Sequence, residues 1–356
     1  MKKIHESYTI AENENIPSMR IAITGACNLK CQYCPIDGDN YKLHGKRFLT
    51  TDEFSHISRI SNNIGIRHFN ITGGEPLAVP DSTFKLAETI KEFPNLGYLR
   101  LNTNGISLKK HASTIKRLGF DKVKVSIDSL KTGKHQLNSS KRYSQNYVSE
   151  VMQGIYALKE IDIPIRVNMV VGKYNIKEVL DMIDFCEKNE LELKLFDITF
   201  YRDALSKNKN FWLENYVSLF PIAKELELQF GSPRIVYAVG GFGNPMPVFK
   251  PDSQSPIRLR ISENSAMYSE GCYECQDYIC QDGFCNITLT TDGDIKPCRP
   301  EGLDFGLKLV DQDGNLLPDE EIEEKLMNTI KLFQDVKEKK RSLDDMVSSW
   351  CENHKL

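Results

Sequence analysis

Between Arg20 and Asp197 the chain repeats one pattern, a short apolar run followed by a longer amphipathic stretch. The apolar runs are Arg20–Thr24, His68–Thr72, Tyr98–Thr103, Lys122–Ile127, Ile165–Val171 and Glu192–Asp197. Helical periodicity separates them near 51–63, 82–92, 109–118, 147–161 and 176–189. Strands spaced by helices cannot pair as hairpins. Each is reached by a crossover, which predicts an α/β chain with helices covering a parallel sheet. Thr50 and Glu53 form a capping box that marks the start of the first helix, each side chain answering an orphan backbone amide.

In parallel (β/α) folds, chemistry collects where strands end, so those exits carry the functional reading. The first exit holds Cys27, Cys31 and Cys34 in C-x3-C-x2-C spacing, with Tyr33 before the last. An iron–sulfur cube takes four thiolates, so three in one loop leave one iron open to another ligand. A zinc site, which wants four ligands, and buried free thiols are the competing readings. The second exit reads Thr72-Gly73-Gly74-Glu75-Pro76. Its glycines allow a close backbone approach and its carboxylate can accept from an amine, although a plain Gly-Gly turn has the same letters. The third and fourth exits, Asn102-Thr103-Asn104-Gly105 and Ser126-Ile127-Asp128-Ser129, are polar ends of apolar strands.

A second cysteine group follows as Cys272-x2-Cys275-x4-Cys280-x4-Cys285, then Cys298. Between Cys285 and Cys298 the residues read strand, Asp292-Gly293 turn, strand, which brings both cysteines to the open end of a hairpin. Five thiols compete here for at most four positions: Cys285 and Cys298 rank first, then Cys280, Cys275 and Cys272 in no fixed order. Structural zinc is the rival, since Cys272-x2-Cys275 has knuckle spacing.

These motifs together resemble the radical S-adenosylmethionine (SAM) superfamily, and within it the MoaA-like branch named for the GTP cyclase of molybdopterin synthesis. The likeness runs from about residue 17 to 300. It implies a partial (β/α)6 barrel with a twitch-like C-terminal extension carrying a hairpin and an auxiliary cluster. It also implies two [4Fe–4S] clusters and SAM, which is reductively cleaved to a 5′-deoxyadenosyl radical that abstracts hydrogen from substrate. By resemblance Gly73, Gly74 and Glu75 hold the methionine amino group, Ser126 and Thr199 contact SAM, and Tyr33 lies against adenine. Arg20, Asn102 and Arg166 fall at substrate positions. The implied organisation is a lead-in over 1–18, the barrel over 19–200, a substrate-covering region over 201–270, the auxiliary-cluster segment over 271–300 and a helical tail over 301–356.

The likeness weakens at the substrate. Where the cyclase has bases on the strand before its GGEP element and arginines in the hairpin strand, this chain has His68, Asn70, Ile287 and Leu289. Its C-terminus, Asn353-His354-Lys355-Leu356, lacks the family's Gly-Gly tail. The expectation is that charge-assisted GTP binding is lost and that a sugar, nucleoside or similar biosynthetic intermediate takes its place. A ribosomal-peptide maturase, with a peptide substrate, is the second reading. A divergent GTP cyclase, a non-catalytic iron–sulfur protein and a zinc-stabilised binding module complete the set. A flavodoxin- or ferredoxin-type donor is the implied electron source, and Cys351 is a candidate hydrogen donor.

With 46 Lys and Arg against 49 Asp and Glu, the 356-residue chain offers no charge excess for nucleic acid or an anionic membrane. Eight of its ten cysteines sit in the two groups, leaving Cys186 and Cys351 apart. Clustering of that kind favours metal over disulfides, and with no apolar segment behind the N-terminus it predicts a reducing cytoplasm. Residues 322, 326, 330 and 333 are apolar at helical spacing, which predicts one half-buried helix. Phe211–Leu228 reads as a helix, Arg234–Val239 and Ile257–Ile261 as short strands, and Gly240–Pro247 as loop.

Overall fold

A computed structural model describes residues 16–34, 47–131, 146–199, 205–262, 284–298 and 307–334. Six strands and five helices alternate through its first two hundred residues: β1 (Ser18–Ala22), α1 (Thr51–Asn63), β2 (His68–Thr72), α2 (Pro80–Lys91), β3 (Tyr98–Thr103), α3 (Leu108–Arg117), β4 (Lys122–Ser126), α4 (Tyr147–Lys159), β5 (Ile165–Val171), α5 (Val179–Lys188) and β6 (Glu192–Asp197). β1 to β6 pair in order and in parallel, as crossover connections require. The capping box at Thr50 and Glu53 is formed.

Later segments lengthen the same sheet at both ends. After α6 (Leu205–Asn215) and α7 (Phe220–Phe230) come β7 (Arg234–Val236), β8 (Met246–Phe249) and β9 (Ile257–Arg260). β9 runs parallel to β6, and β8 and β7 fold back antiparallel beside it. The predicted hairpin is β10 (Asn286–Leu289) with β11 (Ile295–Lys296), and β10 lies parallel to β1 with Ser18 opposite Asn286. The order is therefore β11-β10-β1-β2-β3-β4-β5-β6-β9-β8-β7.

Alternation along the strands sets the two faces. Met19, Ile21, Leu99, Leu101, Val123 and Val125 are fully buried toward the helices, against Leu86, Ile90, Ile115 and Ile155. Each such side chain contributes roughly 1.5–3 kcal/mol on burial. The residues between them face inward and are polar, and the sheet curls so that β1 to β6, β9 and Cys285 line one cavity. The helix Asp319–Gln334 packs on α1 and buries Ile322, Leu326, Ile330 and Phe333, as their spacing predicts.

Three readings of the middle segment change, and the first is that the strand expected over Arg234–Val239 stops at Val236, with Val239–Gly241 a 3-10 turn. Phe211–Leu228 is two helices, because Pro221 stands in the first turn of α7 and a proline starts a helix more readily than it continues one. Gly240–Pro247 is not all loop, since β8 begins at Met246. Pro247 is paired only with Ile235 of β7, and pairing with β9 begins at Val248, so its missing N–H breaks no ladder.

Candidate active site: two cysteine rims around a cationic cavity

β1 delivers the chain into the first cysteine loop, and backbone contacts from β2 fix that loop. The Gly74 N–H donates to Thr24 O at 2.5 Å and the Glu75 N–H to Ala26 O at 2.8 Å. A Cβ on Gly73 would stand 2.4 Å from Thr24 O, and one on Gly74 would stand 2.3 Å from Ala26 O. The close approach these glycines serve in the structure is therefore to the cysteine loop itself. Gly74→Ala is expected to displace the loop, lowering stability by about 1–3 kcal/mol. The iron retained per chain after anaerobic reconstitution should fall while far-UV circular dichroism stays native-like. Full iron retention would contradict this role.

Glu75 is buried and bridges two strand exits. Its carboxylate accepts from Leu77 N–H at 2.9 Å, from the Thr103 hydroxyl at 2.7 Å and from Asn104 N–H at 2.6 Å. Burial raises its pKa and these three donors oppose the rise. Asn104 in turn reaches the cysteine loop, its amide donating to Asn28 Oδ1 at 2.6 Å and lying 4.0 Å from Cys27 Sγ.

Cys31 is half-buried, while Cys27 and Cys34 are exposed at the cavity mouth. Burial, followed by the nearby Cys34, Asp128 and Cys27, pushes the Cys31 thiol well up, and burial raises Cys27. Leu29 N–H points at Cys27 Sγ from 3.4 Å. N–H donors aimed at sulfur and three thiols on one short loop fit a three-thiolate cluster site. Tyr33 hydrogen-bonds Asp128 Oδ2 at 2.6 Å, and burial followed by Asp128 keeps its phenol protonated. Its ring packs on Ile198, Phe211 and Trp212.

The opposite rim is formed where β10 starts. Because β10 and β1 are parallel, Cys285 sits at the N-terminal end of the strands and the first cysteine loop at the C-terminal end. At about 3.3 Å per residue, Ser18 to Thr24 sets the rims roughly 20 Å apart. The Asn286 amide donates to Cys285 Sγ at 2.9 Å. Carrying the β10–β11 register (Thr288 opposite Lys296) back by two residues sets Asn286 opposite Cys298, so the two cysteines share the hairpin's open end. Cys272, Cys275, Cys280 and Cys351 lie outside the described residues. Cys186 is buried in the core and raised in pKa by burial, which makes it an inert packing residue.

Between the rims lies a cavity of about 400 Å³. It brings together Arg20, Tyr33, Gly73, Gly74, Glu75, Asn102, Ser126, Arg166 and Thr199, all singled out in the sequence. Sequence reasoning missed its cations. Arg100, Lys124, Lys194, Arg258 and Arg260 join Arg20 and Arg166 on the wall, so the expected loss of anion-binding charge is corrected. Ile287 and Leu289, compared above with the cyclase arginines, are buried in the core opposite Met19 and Ile21. The overlooked signal is charge two residues apart within apolar strands, at Lys122 and Lys124, Glu192 and Lys194, and Arg258 and Arg260, where strands covered on both faces run almost continuously apolar. Asn168 was overlooked too. It lines the cavity, and the side-chain oxygens of Asn102 and Asn168 are buried without a hydrogen-bond partner among the described residues.

One acid organises part of this charge. Glu192 pairs with Lys122 at 2.8 Å, with Arg166 at 2.8 Å and with Arg258. Burial would raise its carboxyl, yet Arg166, Lys122 and Arg258 hold it well below the usual range.

The family model described as Radical SAM superfamily matches residues 21–186. A protein of Methanococcus maripaludis (strain C6) named "Probable GTP 3',8-cyclase" is 32% identical over 292 residues, covering 80% of this chain and 85% of its own. One of Alkaliphilus metalliredigens (strain QYMF), named "GTP 3',8-cyclase", is 29% identical over 292 residues, with 80% and 81% covered. Among solved structures, "Native anSMEcpe with bound AdoMet" aligns with a TM-score of 0.50 at 19% identity, over 88% of this chain and 82% of that one. Among the described residues, no helix is long and apolar enough to cross a membrane.

Proposed function

Because the chain belongs to the radical SAM superfamily, we propose that it is an enzyme acting on an anionic small molecule held between its two cysteine rims. When bound, a [4Fe–4S] cluster and SAM supply a 5′-deoxyadenosyl radical for hydrogen abstraction. Cys27, Cys31 and Cys34 would hold that cluster, in the three-cysteine arrangement that leaves one iron to SAM. Gly73, Gly74, Ser126 and Thr199 line the cavity and would border SAM there. Glu75 serves it chiefly by bracing the β2 and β3 exits, and Asp128 by orienting Tyr33. Cys285 and Cys298, with partners among Cys272, Cys275 and Cys280, would hold an auxiliary [4Fe–4S] cluster at the far rim.

The observation that carries this reading is one cavity with thiols at both ends and seven arginine and lysine side chains on its wall. Such a wall favours a phosphate, sulfate or carboxylate on the substrate. The asparagine oxygens of Asn102 and Asn168 favour hydroxyl or N–H groups beside that charge, as in a sugar or nucleoside. Substrate other than GTP is our reading, since β2 presents Asn70 to the cavity where the resemblance implies a base. An electron donor of flavodoxin or ferredoxin type and a reducing cytoplasm complete the proposal.

Anaerobic reconstitution with iron, sulfide and zinc assays tests it. About eight irons per chain with no zinc is expected for two cubane clusters. Zinc at the second group would overturn the auxiliary cluster. GTP-dependent 5′-deoxyadenosine formation, matched one for one by GTP consumption, would overturn the different-substrate reading.

A further inference from the structure

Lys124 stands in the middle of β4 on the cavity wall, between Asn102 of β3 and Arg166 of β5 in the strand register. Its ammonium nitrogen donates to Asn70 Oδ1 at 2.8 Å. The charged groups acting on it are Arg100 from β3, Arg166 from β5, Arg20 from β1 and Lys194 from β6, whose own ammonium is lowered by burial and then by Arg166, Arg260 and Arg258 while Cys285 opposes. Farther around the wall stand Arg258 and Arg260 of β9, and His68 of β2 and Tyr98 of β3 stack below. The acid at this level, Glu192, is committed to Lys122, Arg166 and Arg258. No carboxylate among the described residues pairs with Lys124. Burial first, and then those four cations, push its ammonium well below the ordinary lysine range.

Guanidinium groups cannot shed their protons, so a wall made only of arginine would carry its full repulsion when empty. A lysine among them relieves that repulsion by giving up its proton. An entering anion reverses the balance, because a negative charge within a few ångströms favours the charged amine. We propose that Lys124 is the proton-accepting member of an anion subsite: an anionic group of the substrate binds beside Arg20, Arg100 and Lys124, and one proton from solvent moves onto the Lys124 amine. This rests on the reading above that the substrate is anionic. It adds that substrate charge and protein charge are taken up together.

The sign of the pH dependence follows. In the empty cavity Lys124 titrates low, and in the complex its pKa moves back toward the ordinary value of about 10.4. Between those two values binding takes up close to one proton, and affinity falls up to about tenfold per pH unit as pH rises. Below both values binding takes up none.

The test is isothermal calorimetry of the reconstituted full chain with sodium sulfate, which stays a dianion throughout, so that any proton taken up goes to protein. Titrations at about pH 6 to about pH 10, each in two buffers of different ionisation enthalpy, count the protons. Wild type should show a window with close to one proton per sulfate. Lys124→Arg should bind sulfate with no uptake and a flat profile, and Lys124→Met should bind about tenfold more weakly. Sulfate binding by wild type with no proton uptake anywhere in the range overturns the proposal and leaves the anionic-substrate reading standing. The wild-type result alone decides this, should a variant fail to fold. Undiminished uptake in a folded Lys124→Arg assigns the proton elsewhere and overturns it too. Failure of sulfate, pyrophosphate and acetate all to bind removes the anionic-substrate reading, and the proposal with it.

Discussion

Replacing Cys31 with alanine is expected to abolish 5′-deoxyadenosine formation and to halve the iron that the chain holds, from about eight to about four atoms. Cys31 is the central and least exposed thiol of the loop, with the Tyr33–Asp128 hydrogen bond on one side and Cys34 N–H bonded to Cys31 O at 3.1 Å on the other. Its thiol is held protonated by burial and by the neighbouring thiols and Asp128, so metal must displace a proton from it. Cluster assembly at this rim should therefore weaken steeply as pH falls, whereas a pre-ionised site would assemble indifferently. The variant should still fold, because Cys31 lies on a loop outside the strands and helices and its side-chain hydrogen bond is to Tyr33 of the same loop, and the far rim should keep its iron. SAM cleavage by Cys31→Ala at even a few per cent of the wild-type rate would remove the assignment of this loop.

The parallel barrel was legible because its evidence is local. The bounds expected for β2, β3, β5 and β6 coincide with those found, each strand being an apolar run stopped by polar residues. β1 begins two residues earlier than its hydrophobicity suggests, since Ser18 gains a partner in Asn286, some 270 residues along the chain. No local pattern announces that pairing. β8 escaped for the same reason: Met246–Phe249 is a strand through β7 and β9, and its own Pro247 argues against it.

The site was legible where it depends on order along the chain and obscure where it depends on curvature. Cysteine spacing and the Gly73-Gly74-Glu75 exit pointed to the upper rim, while the bracing of the β2 and β3 exits by Glu75 through Leu77, Thr103 and Asn104 shows only in the fold. The cationic wall was missed by a position-by-position comparison that asked only where the cyclase keeps its bases. Charge can migrate around a barrel to a neighbouring strand and still face the same cavity, as Arg100 and Lys124 do on β3 and β4. Alternation of charge within strands records that directly, and it needs no relative to be read.

Glu192→Gln is expected to move stability and anion binding in opposite directions. The carboxylate is buried and answers Lys122, Arg166 and Arg258 together, so the neutral amide leaves three cations facing one another in a poorly solvated wall. Breaking a buried ion pair on one side typically removes about 3–5 kcal/mol, a large share of the roughly 5–15 kcal/mol that holds a domain folded. Thermal unfolding of the reconstituted enzyme should drop by roughly 10 °C at neutral pH. The gap should close in acid. With its folded pKa depressed, Glu192 contributes stability that is complete above the ordinary carboxylate value of about 4.3 and is lost as pH falls through the folded value, where wild type too carries a neutral side chain. The same substitution frees Arg166 and Arg258 toward the cavity, and sulfate should bind about tenfold more tightly at neutral pH. A variant that is destabilised without gaining sulfate affinity would show that these two arginines are structural only, leaving Arg20, Arg100 and Lys124 to receive the substrate's charge. A variant as stable as wild type would mean that Glu192 is not what holds the cationic wall together.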